Sequence, residues 1–199
     1  MTQPLILASG SAIRAQLLRQ AAISFHVDVA RVDEQSVKDA MIAEGAPPRD
    51  IADALAEIKA RKVAGKYPDA MVIGCDQVLA FQGKLLSKPK DPGDALTQLQ
   101  AMRGDVHTLL SAAVIYDQGA PVWRHVGQVR LRMRQASDTF LQSYIDRNWE
   151  SIRHSVGAYK LEEEGVRLFT RVDGDYFNVL GMPLLEILAY LGLRGVIEQ

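Results

Sequence analysis

The stretch LILASGSAIR, residues 5–14, defines the first elements of the fold. Leu5–Ala8 is apolar and predicts a short buried strand, residues 9–11 predict a turn, and a helix pattern runs from about Ala12 to Gln20. Backbone N–H groups at a helix N-terminus are unpaired and partly positive, so this order of elements can hold an anion. Because the turn matches neither the P-loop nor G-x-G-x-x-G, a plain connection is the alternative.

Strand and helix patterns alternate along the rest of the chain. Apolar residues with helical spacing predict a helix from near Asp50, a candidate N-cap, to about Gly65. Further helices are predicted at 94–102 with Asp94 as N-cap, from 137 onward, and at 184–191 before Gly192. Strands are predicted at 71–73 and 78–81, on either side of the polar segment 74–77, and at 108–116, 129–134 and 166–172. The alternation predicts one mixed α/β domain over residues 1–199.

The composition is that of an ordinary globular protein. Of 199 residues, 48% are apolar and 24% charged, and 23 Lys and Arg against 24 Asp and Glu give a net charge of −1. This rules out intrinsic disorder and supplies no basic excess for binding a nucleic-acid polymer or a membrane surface. Arg130, Arg132 and Arg134 alternate with apolar residues, so we interpret them as the solvated face of a strand.

The sequence lacks the usual signals of a disulfide, a zinc site, a secretory signal and a membrane helix. The single cysteine, Cys75, cannot form an intrachain disulfide, and we interpret it as a packing residue. The four histidines are scattered, so no zinc-site spacing occurs. The N-terminal apolar run is shorter than a secretory signal needs, and no run approaches the ~20 residues of a membrane helix. We expect a cytoplasmic protein.

Asp76 is the most informative carboxylate. It lies within an apolar stretch, where a charge is costly unless it is paired, bound to a metal or open to a cleft. The alternative is a turn Asp that bonds its own backbone beside Gly74. A hairpin return after residues 82–84 can bring Lys88, twelve residues on, alongside Asp76, although a Lys before Pro is usually just a surface residue.

Other candidate charges lie on the predicted helices and loops. Lys59 falls on the apolar flank of its helix, where its ammonium either reaches out to solvent or meets an anion. Arg14 is about one helical turn from the anion-binding end of its helix, but an exposed Arg there is an equally simple interpretation. Asp33 and Glu34 are a metal-binding pair or a polar loop.

Ordered blocks of the sequence carry a resemblance over nearly the whole chain. They are LASGSAIRAQLL (7–18), VDE (32–34), KA (59–60), IGCDQ (73–77), KP (88–89), GAY (157–159) and GDYFNVLGMPL (174–184). Together they resemble the Maf (septum-formation-inhibitor-like) nucleotide pyrophosphatases. The resemblance implies a mixed α/β fold with a long curved β-sheet, flanking helices and two lobes around a deep cleft, as in inosine triphosphatase-like proteins.

The resemblance also implies an activity and its residues. Such an enzyme hydrolyses a nucleoside triphosphate to the monophosphate and pyrophosphate, with Mg²⁺ or Mn²⁺ as cofactor, and is expected to be a homodimer. The residues carried over are Ser9, Arg14, Lys59 and Lys88 for phosphate, Glu34 and Asp76 for the metal, and Asp76 as proton acceptor. Positive groups suit the charge that develops on phosphoryl oxygens, and hard carboxylate ligands suit Mg²⁺.

Three positions depart from the commonest family pattern, namely Ile13, Gln77 and Glu162. Gln77 and Glu162 resemble the branch that prefers 7-methyl-GTP over dTTP or UTP, and Ile13 with Gln77 would alter the polarity and width around the base. N7-methylation gives guanine a positive charge, which a carboxylate at Glu162 can complement. The register is open, because Glu163 and Glu164 are equal candidates and all three can be a solvated loop. The alternatives are a dTTP/UTP-type pyrophosphatase, a nucleotide-binding regulator of cell division with little turnover, and a structural module without a ligand.

Overall fold

The computed structural model describes residues 3–198, in which seven strands and seven helices are interspersed. The strands are β1 (Leu5–Leu7), β2 (His26–Val27), β3 (Met71–Phe81), β4 (Lys84–Leu86), β5 (Val106–Asp117), β6 (Ala120–Met133) and β7 (Phe169–Asp173). The helices are α1 (Ala12–Gln20), α2 (Glu34–Ala43), α3 (Pro48–Ala64), α4 (Pro92–Met102), α5 (Asp138–Ile152), α6 (Tyr176–Val179) and α7 (Leu184–Leu193). No helix in this range is long and apolar enough to cross a bilayer.

The strands form one mixed sheet. Six of them follow the order β2-β1-β3-β5-β6-β7, and β4 pairs with β3. β1 runs parallel to both β2 and β3, with Leu7 opposite Ile73, whereas the β3–β4 and β6–β7 pairs are antiparallel. A short, wholly apolar strand such as β1 is typical of a position between two parallel neighbours. The predicted mixed α/β class is confirmed.

The chain divides into two compact units. The first contains residues 3–77, 110–127 and 181–198, and the second contains 78–109 and 128–180. Because the chain passes between the units four times, neither unit is a contiguous segment. The single domain over 1–199 and the cleft between two lobes stay predictions.

Each unit has its own buried residues. In the first, large side chains of β1, α1, α3 and β3 are fully buried, among them Leu7, Leu18, Leu55 and Ile73. In the second, one apolar cluster joins β6 to α4 and α5, with Tyr144 as its largest fully buried side chain. The period-two pattern of β6 is confirmed, because Val129, Leu131 and Met133 are buried and the intervening arginines are exposed.

Several element boundaries differ from the predictions. Residues 74–77 do not interrupt a strand, because β3 runs without a break from Met71 to Phe81. The segment beginning at Glu34 is helix α2 rather than loop, and none of its residues is buried, so it lacks the apolar stripe that reveals a helix in sequence. The predicted strand over 166–172 begins only at Phe169, after a 3₁₀ segment, Glu164–Leu168.

Three helix ends also differ. Pro47 is the N-cap of α3 and Pro48 its first residue, so Asp50 lies inside the first turn. Asp91, not Asp94, caps α4, and its side chain accepts a hydrogen bond from the Asp94 N–H at 2.8 Å. Helix α7 passes Gly192 and ends at Leu193.

Candidate active site

The buried ion pair of Lys59 and Asp76 lies at the centre of the candidate site. Lys59 Nζ is 2.6 Å from Asp76 Oδ1, and the two residues are only 7% and 4% exposed. The same ammonium is 2.7 Å from Glu34 Oε1. Of the two sequence interpretations of Lys59, the one in which it meets an anion is therefore confirmed.

Close packing of α3 against β3 brings Lys59 to Asp76. A Cβ at Gly74 would lie 2.2 Å from the Ala56 carbonyl oxygen and 2.6 Å from the Ala60 nitrogen, far inside contact distance. Only glycine on the strand, facing alanines on the helix, allows the two backbones to approach this closely. Lys59, next to Ala60, consequently points along the strand to Asp76.

Asp33 and Glu34 have separate roles. The Asp33 carboxylate accepts hydrogen bonds from the Ser36 N–H at 3.1 Å and the Ser36 hydroxyl at 2.7 Å, and so caps α2. These bonds hold the pKa of Asp33 below its ordinary value. Glu34 is the first residue of the helix and faces Lys59. Only Glu34 of this pair joins the candidate site.

Arg14 is held in the site by three hydrogen bonds. Its Nε donates to the Gly181 carbonyl at 2.8 Å, and Nη1 donates to the Cys75 carbonyl at 2.9 Å and to Ser9 Oγ at 3.1 Å. The remaining amino group, Nη2, donates to none of the residues in the described range. The guanidinium is thus fixed in position and keeps two N–H groups for a ligand.

Ser9 and the start of α1 lie beside this guanidinium. Ser9 is buried, and its hydroxyl oxygen also accepts a hydrogen bond from the Ser11 N–H at 3.3 Å. Ser11, the N-cap of α1, makes no side-chain capping bond. The first N–H groups of α1 therefore lack a capping side chain, as expected for an end that receives an anion.

Cys75 is a packing residue. Its side chain is fully buried between the positions of Gly74 and Asp76 on β3, and burial raises the pKa of the thiol to about 11. A neutral thiol is a poor nucleophile at neutral pH.

The predicted specificity positions Ile13 and Gln77 also lie in the first unit. Ile13 is half-buried on α1 directly before Arg14. The Gln77 side-chain amide donates a hydrogen bond to Ser111 Oγ at 3.0 Å, and Ser111 is fully buried on β5. Ser111 thus orients the residue that follows Asp76.

Lys88 and Glu162 belong to the second unit. Lys88 is exposed and follows β4, whose antiparallel pairing with β3 confirms the predicted hairpin. Its predicted place beside Asp76 stays a prediction.

The structure separates the three consecutive glutamates. Glu164 is bound by Arg147 at 2.6 Å and Asn148 at 2.7 Å, which lowers its pKa to about 2. Glu163 is bound by Ser151 at 2.6 Å and Lys160 at 3.1 Å. Glu162 is exposed and has no ion-pair partner among residues 3–198. Of the three carboxylates, Glu162 is the one whose charge is not already neutralised.

The candidate site has one feature that fits a divalent cation. Asp76 Oδ2 is buried and accepts no hydrogen bond from residues 3–198, so it retains lone pairs for a ligand. In the described part of the chain no group of three or more His, Cys, Asp or Glu could hold an ion. Mg²⁺ does not require such a group, because it is usually held by one or two carboxylates, waters and substrate phosphates.

A separate cavity of about 700 Å³ in the first unit is not this site. It is lined by residues around the starts of β1 and β3, including Pro4, His26, Lys66 and Tyr67. None of the predicted site residues, all of which fall in the described range, lines it.

Comparison with known proteins identifies the family. Residues 4–193 match the Maf-like protein family. The chain belongs to the Maf-like family. A Ruegeria pomeroyi protein named nucleoside triphosphate pyrophosphatase is 71% identical over 198 residues, and one of that name from Ruegeria sp. (strain TM1040) is 69% identical over 199 residues. In both comparisons 100% of each chain is covered.

A more distant relative carries a narrower name. The Rhizobium etli protein named 7-methyl-GTP pyrophosphatase is 41% identical over 198 residues, covering 100% of both chains.

Two features of this Maf-like site are missed by reasoning from the sequence. The Gly181 carbonyl that fixes Arg14 lies 167 positions away from it, and Ser111 lies in the apolar run of β5. The sequence does contain a signal for the first, because Gly181 belongs to the GDYFNVLGMPL block. In the structure Gly181 has a φ of +92°, a conformation that favours glycine. Ser111 has no comparable signal.

Proposed function

We propose that this chain is a nucleoside triphosphate pyrophosphatase that prefers 7-methyl-GTP and releases the monophosphate and pyrophosphate. The chain is a hydrolase acting on phosphoric anhydride bonds, the class to which its relatives at 69% and 71% identity, named nucleoside triphosphate pyrophosphatases, belong. The observation that carries the proposal is the convergence of Arg14, Lys59, Glu34 and Asp76 beside the Ser9 turn in one unit.

The cations of the site suit a triphosphate. Attack on the α-phosphorus places negative charge on phosphoryl oxygens and on the departing pyrophosphate, and fixed positive groups stabilise that charge without reorganising. Arg14 Nη2 and the first N–H groups of α1 are the groups we assign to the phosphates. Lys59 adds charge from the buried side, and we assign Lys88 to the same role on the sequence resemblance.

Asp76 is the proton acceptor in this proposal. Its Oδ1 is held by Lys59, which fixes the carboxylate and leaves the unpartnered Oδ2 to accept a proton from the attacking water.

Glu34 and Asp76 are the residues that would hold Mg²⁺ or Mn²⁺. When bound, such a cation supplies further positive charge for the phosphoryl oxygens. Lys59 contacts one oxygen of each carboxylate in this structure, so its ammonium also offsets part of their negative charge.

The proposal also assigns the residues that select the nucleotide base. Glu162 is supported as the carboxylate for a cationic base, because Glu163 and Glu164 are already paired with cations. Ile13 directly precedes Arg14 in the sequence, and Gln77 directly follows Asp76. We assign these two residues, with Glu162, to the recognition of the base. The 41% identical relative named 7-methyl-GTP pyrophosphatase supports the proposed substrate. The cytoplasmic location and the homodimer stay predictions.

Pyrophosphate release from a panel of nucleotides tests the proposal. The panel holds 7-methylguanosine, guanosine, thymidine, uridine and cytidine triphosphates, with Mg²⁺ or Mn²⁺ and with chelator as control. The matched pair of 7-methyl-GTP and GTP isolates the effect of the ring charge, and we expect at least about tenfold preference for the methylated base, the equivalent of one charged contact. Preference for a pyrimidine contradicts the base assignment, and no release from any nucleotide contradicts the activity and favours a binding or regulatory protein.

A further inference from the structure

Three lysines form a row along one side of helix α3 and the turn that follows it. Lys59, Lys62 and Lys66 are spaced three and four positions apart, which places them on the same face of a helix. The first two belong to α3 itself. Lys66 follows the C-cap, Gly65, and its N–H continues the turn by donating to the Val63 carbonyl at 2.9 Å. We call these three lysines the lysine row.

The second and third lysines of the row hold the segment that leads from β2 to Glu34. The Lys62 ammonium donates a hydrogen bond to the Arg31 carbonyl oxygen. Lys66 Nζ lies 3.0 and 3.2 Å from the two carboxylate oxygens of Asp28 and holds the pKa of that carboxyl below its ordinary value. Together with the contact at Glu34, these bonds attach the segment to α3 at three points, each three residues from the next.

The segment has few apolar contacts that could fix its position. Residues 28–33 form neither a helix nor a strand, and Val29 is 50% exposed. Helix α2, which begins at Glu34, has no buried residue. Because parts of a protein with few buried apolar contacts open locally at low cost in free energy, the position of Glu34 depends strongly on the polar contacts of the segment.

We propose that Lys62 and Lys66 are positioning residues, which hold segment 28–34 against α3 and so keep Glu34 in place for the divalent cation. The inference rests on the proposed function, because it takes Glu34 as a ligand of that cation. If the segment is attached for only part of the time, the apparent dissociation constant of the cation equals the intrinsic constant divided by the attached fraction. Weakening the lysine row therefore weakens metal binding, although neither lysine touches the ion.

The effect of charge alone has the opposite sign. A nearby positive charge repels a divalent cation, so replacing Lys62 or Lys66 by a neutral residue should tighten metal binding if only the charge mattered. A loss of affinity on neutralisation is consequently a signature of positioning. Lys59 is unsuitable for this test, because its ammonium also contacts Asp76.

Mn²⁺ binding to the full chain without nucleotide, followed by electron paramagnetic resonance, tests the proposal. We expect the dissociation constant to rise about two- to fivefold in Lys62→Met and in Lys66→Met, and about tenfold in the double variant, since exposed contacts of this kind are individually weak. Lys62→Arg and Lys66→Arg retain a charged donor and should recover most of the affinity.

Arg61→Met is the matched control for the loss of charge. Arg61 is exposed on the same turn of α3, but it points about 100° away from Lys62 around the helix. Its charge acts on Tyr116 of β5 instead. We expect Arg61→Met to bind Mn²⁺ at least as tightly as the wild type, and a loss equal to that of Lys62→Met would overturn the proposal.

Hydrogen exchange measures the attachment of the segment without any metal. The backbone N–H groups of residues 29–33 should exchange faster in the double Lys62→Met, Lys66→Met variant than in the wild type or in Arg61→Met. Unchanged exchange would show that the lysine row does not hold the segment, and would overturn the proposal.

Glu34→Gln separates a failure of this inference from a failure of the proposed function. We expect this variant to bind Mn²⁺ more weakly than the wild type. If it binds Mn²⁺ equally well, the assignment of Glu34 to the metal is wrong, and the inference fails with it. If Glu34→Gln weakens binding but the double lysine variant binds Mn²⁺ like the wild type, the metal assignment stands and the positioning role of Lys62 and Lys66 is wrong.

Discussion

Lys59 Nζ lies 2.6 Å from Asp76 Oδ1 and 2.7 Å from Glu34 Oε1, so one ammonium serves two carboxylates. Taking such charges out of water costs several kcal/mol per ion, and well-packed apolar residues in their place are often at least as stabilising. The proposed role of Asp76 as proton acceptor therefore explains the ion pair better than a contribution of the pair to stability. This relationship leads to the first prediction.

Lys59→Met should destabilise the protein strongly. The substitution leaves Asp76 buried without its cation, and breaking a buried pair from one side costs about 3–5 kcal/mol. Urea denaturation measures the loss. Lys66→Met is the control, because Lys66 pairs with Asp28 at 3.0 Å at the surface, where removing one partner should cost far less stability. Similar losses in the two variants would contradict the account of Lys59.

Gly74→Ala should reduce both stability and activity. The new Cβ would lie 2.2 Å from the Ala56 carbonyl oxygen, so α3 has to move away from β3, at a cost of about 1–3 kcal/mol or more. That movement also carries Lys59 away from Asp76. Thermal unfolding and initial rates report the two effects. Gly65→Ala, which makes only ordinary contacts at 3.6 Å, should leave both nearly unchanged.

Stability should fall as the pH drops from about 6.5 to about 4. Burial lowers the pKa of His107 to about 4, and its Nε2 lies 2.7 Å from the Tyr159 hydroxyl. In that window the unfolded chain binds a proton that the folded chain does not, so the free energy of unfolding decreases by about 3 kcal/mol. Chemical denaturation across this range checks the slope. His107→Gln should lose clearly less stability in the window, and an equal loss would show that His107 is not responsible.

Glu162→Gln should reduce the preference for 7-methyl-GTP over GTP by about tenfold, since one attractive charge is removed. The measurement is the ratio of kcat/KM for the two nucleotides. Glu163→Gln is the control, because Lys160 and Ser151 already bind that carboxylate at 3.1 and 2.6 Å. If Glu163→Gln changes the ratio and Glu162→Gln does not, the assignment of Glu162 is wrong.

The sequence is most informative where local pattern and burial agree. The alternation of Val129, Leu131 and Met133 with arginines predicts part of β6. The apolar flank of α3 places Lys59 on the buried side of that helix, but it leaves open whether the ammonium reaches solvent or meets an anion. Ser137 is confirmed at the start of α5, where its hydroxyl accepts the Phe140 N–H at 3.2 Å.

The sequence is least informative where distant neighbours decide. β3 runs unbroken through its polar residues as an inner strand of the sheet, and no local property of residues 74–77 indicates that position. Helix α2 is not evident from the sequence, because none of its residues is buried and it therefore has no apolar stripe. The carbonyl of Gly181 binds Arg14 across 167 positions, which only the folded chain can show.

The most direct test of the central claim is pyrophosphate release by Asp76→Asn, an almost isosteric change that removes the proton acceptor. With 7-methyl-GTP and Mg²⁺ we predict that turnover falls by about 10²- to 10⁴-fold, the usual contribution of a general base. Nucleotide should still raise the Tm of the variant, because Arg14 and the start of α1 are unchanged. A variant that binds nucleotide and turns it over at the wild-type rate would contradict the assignment of Asp76.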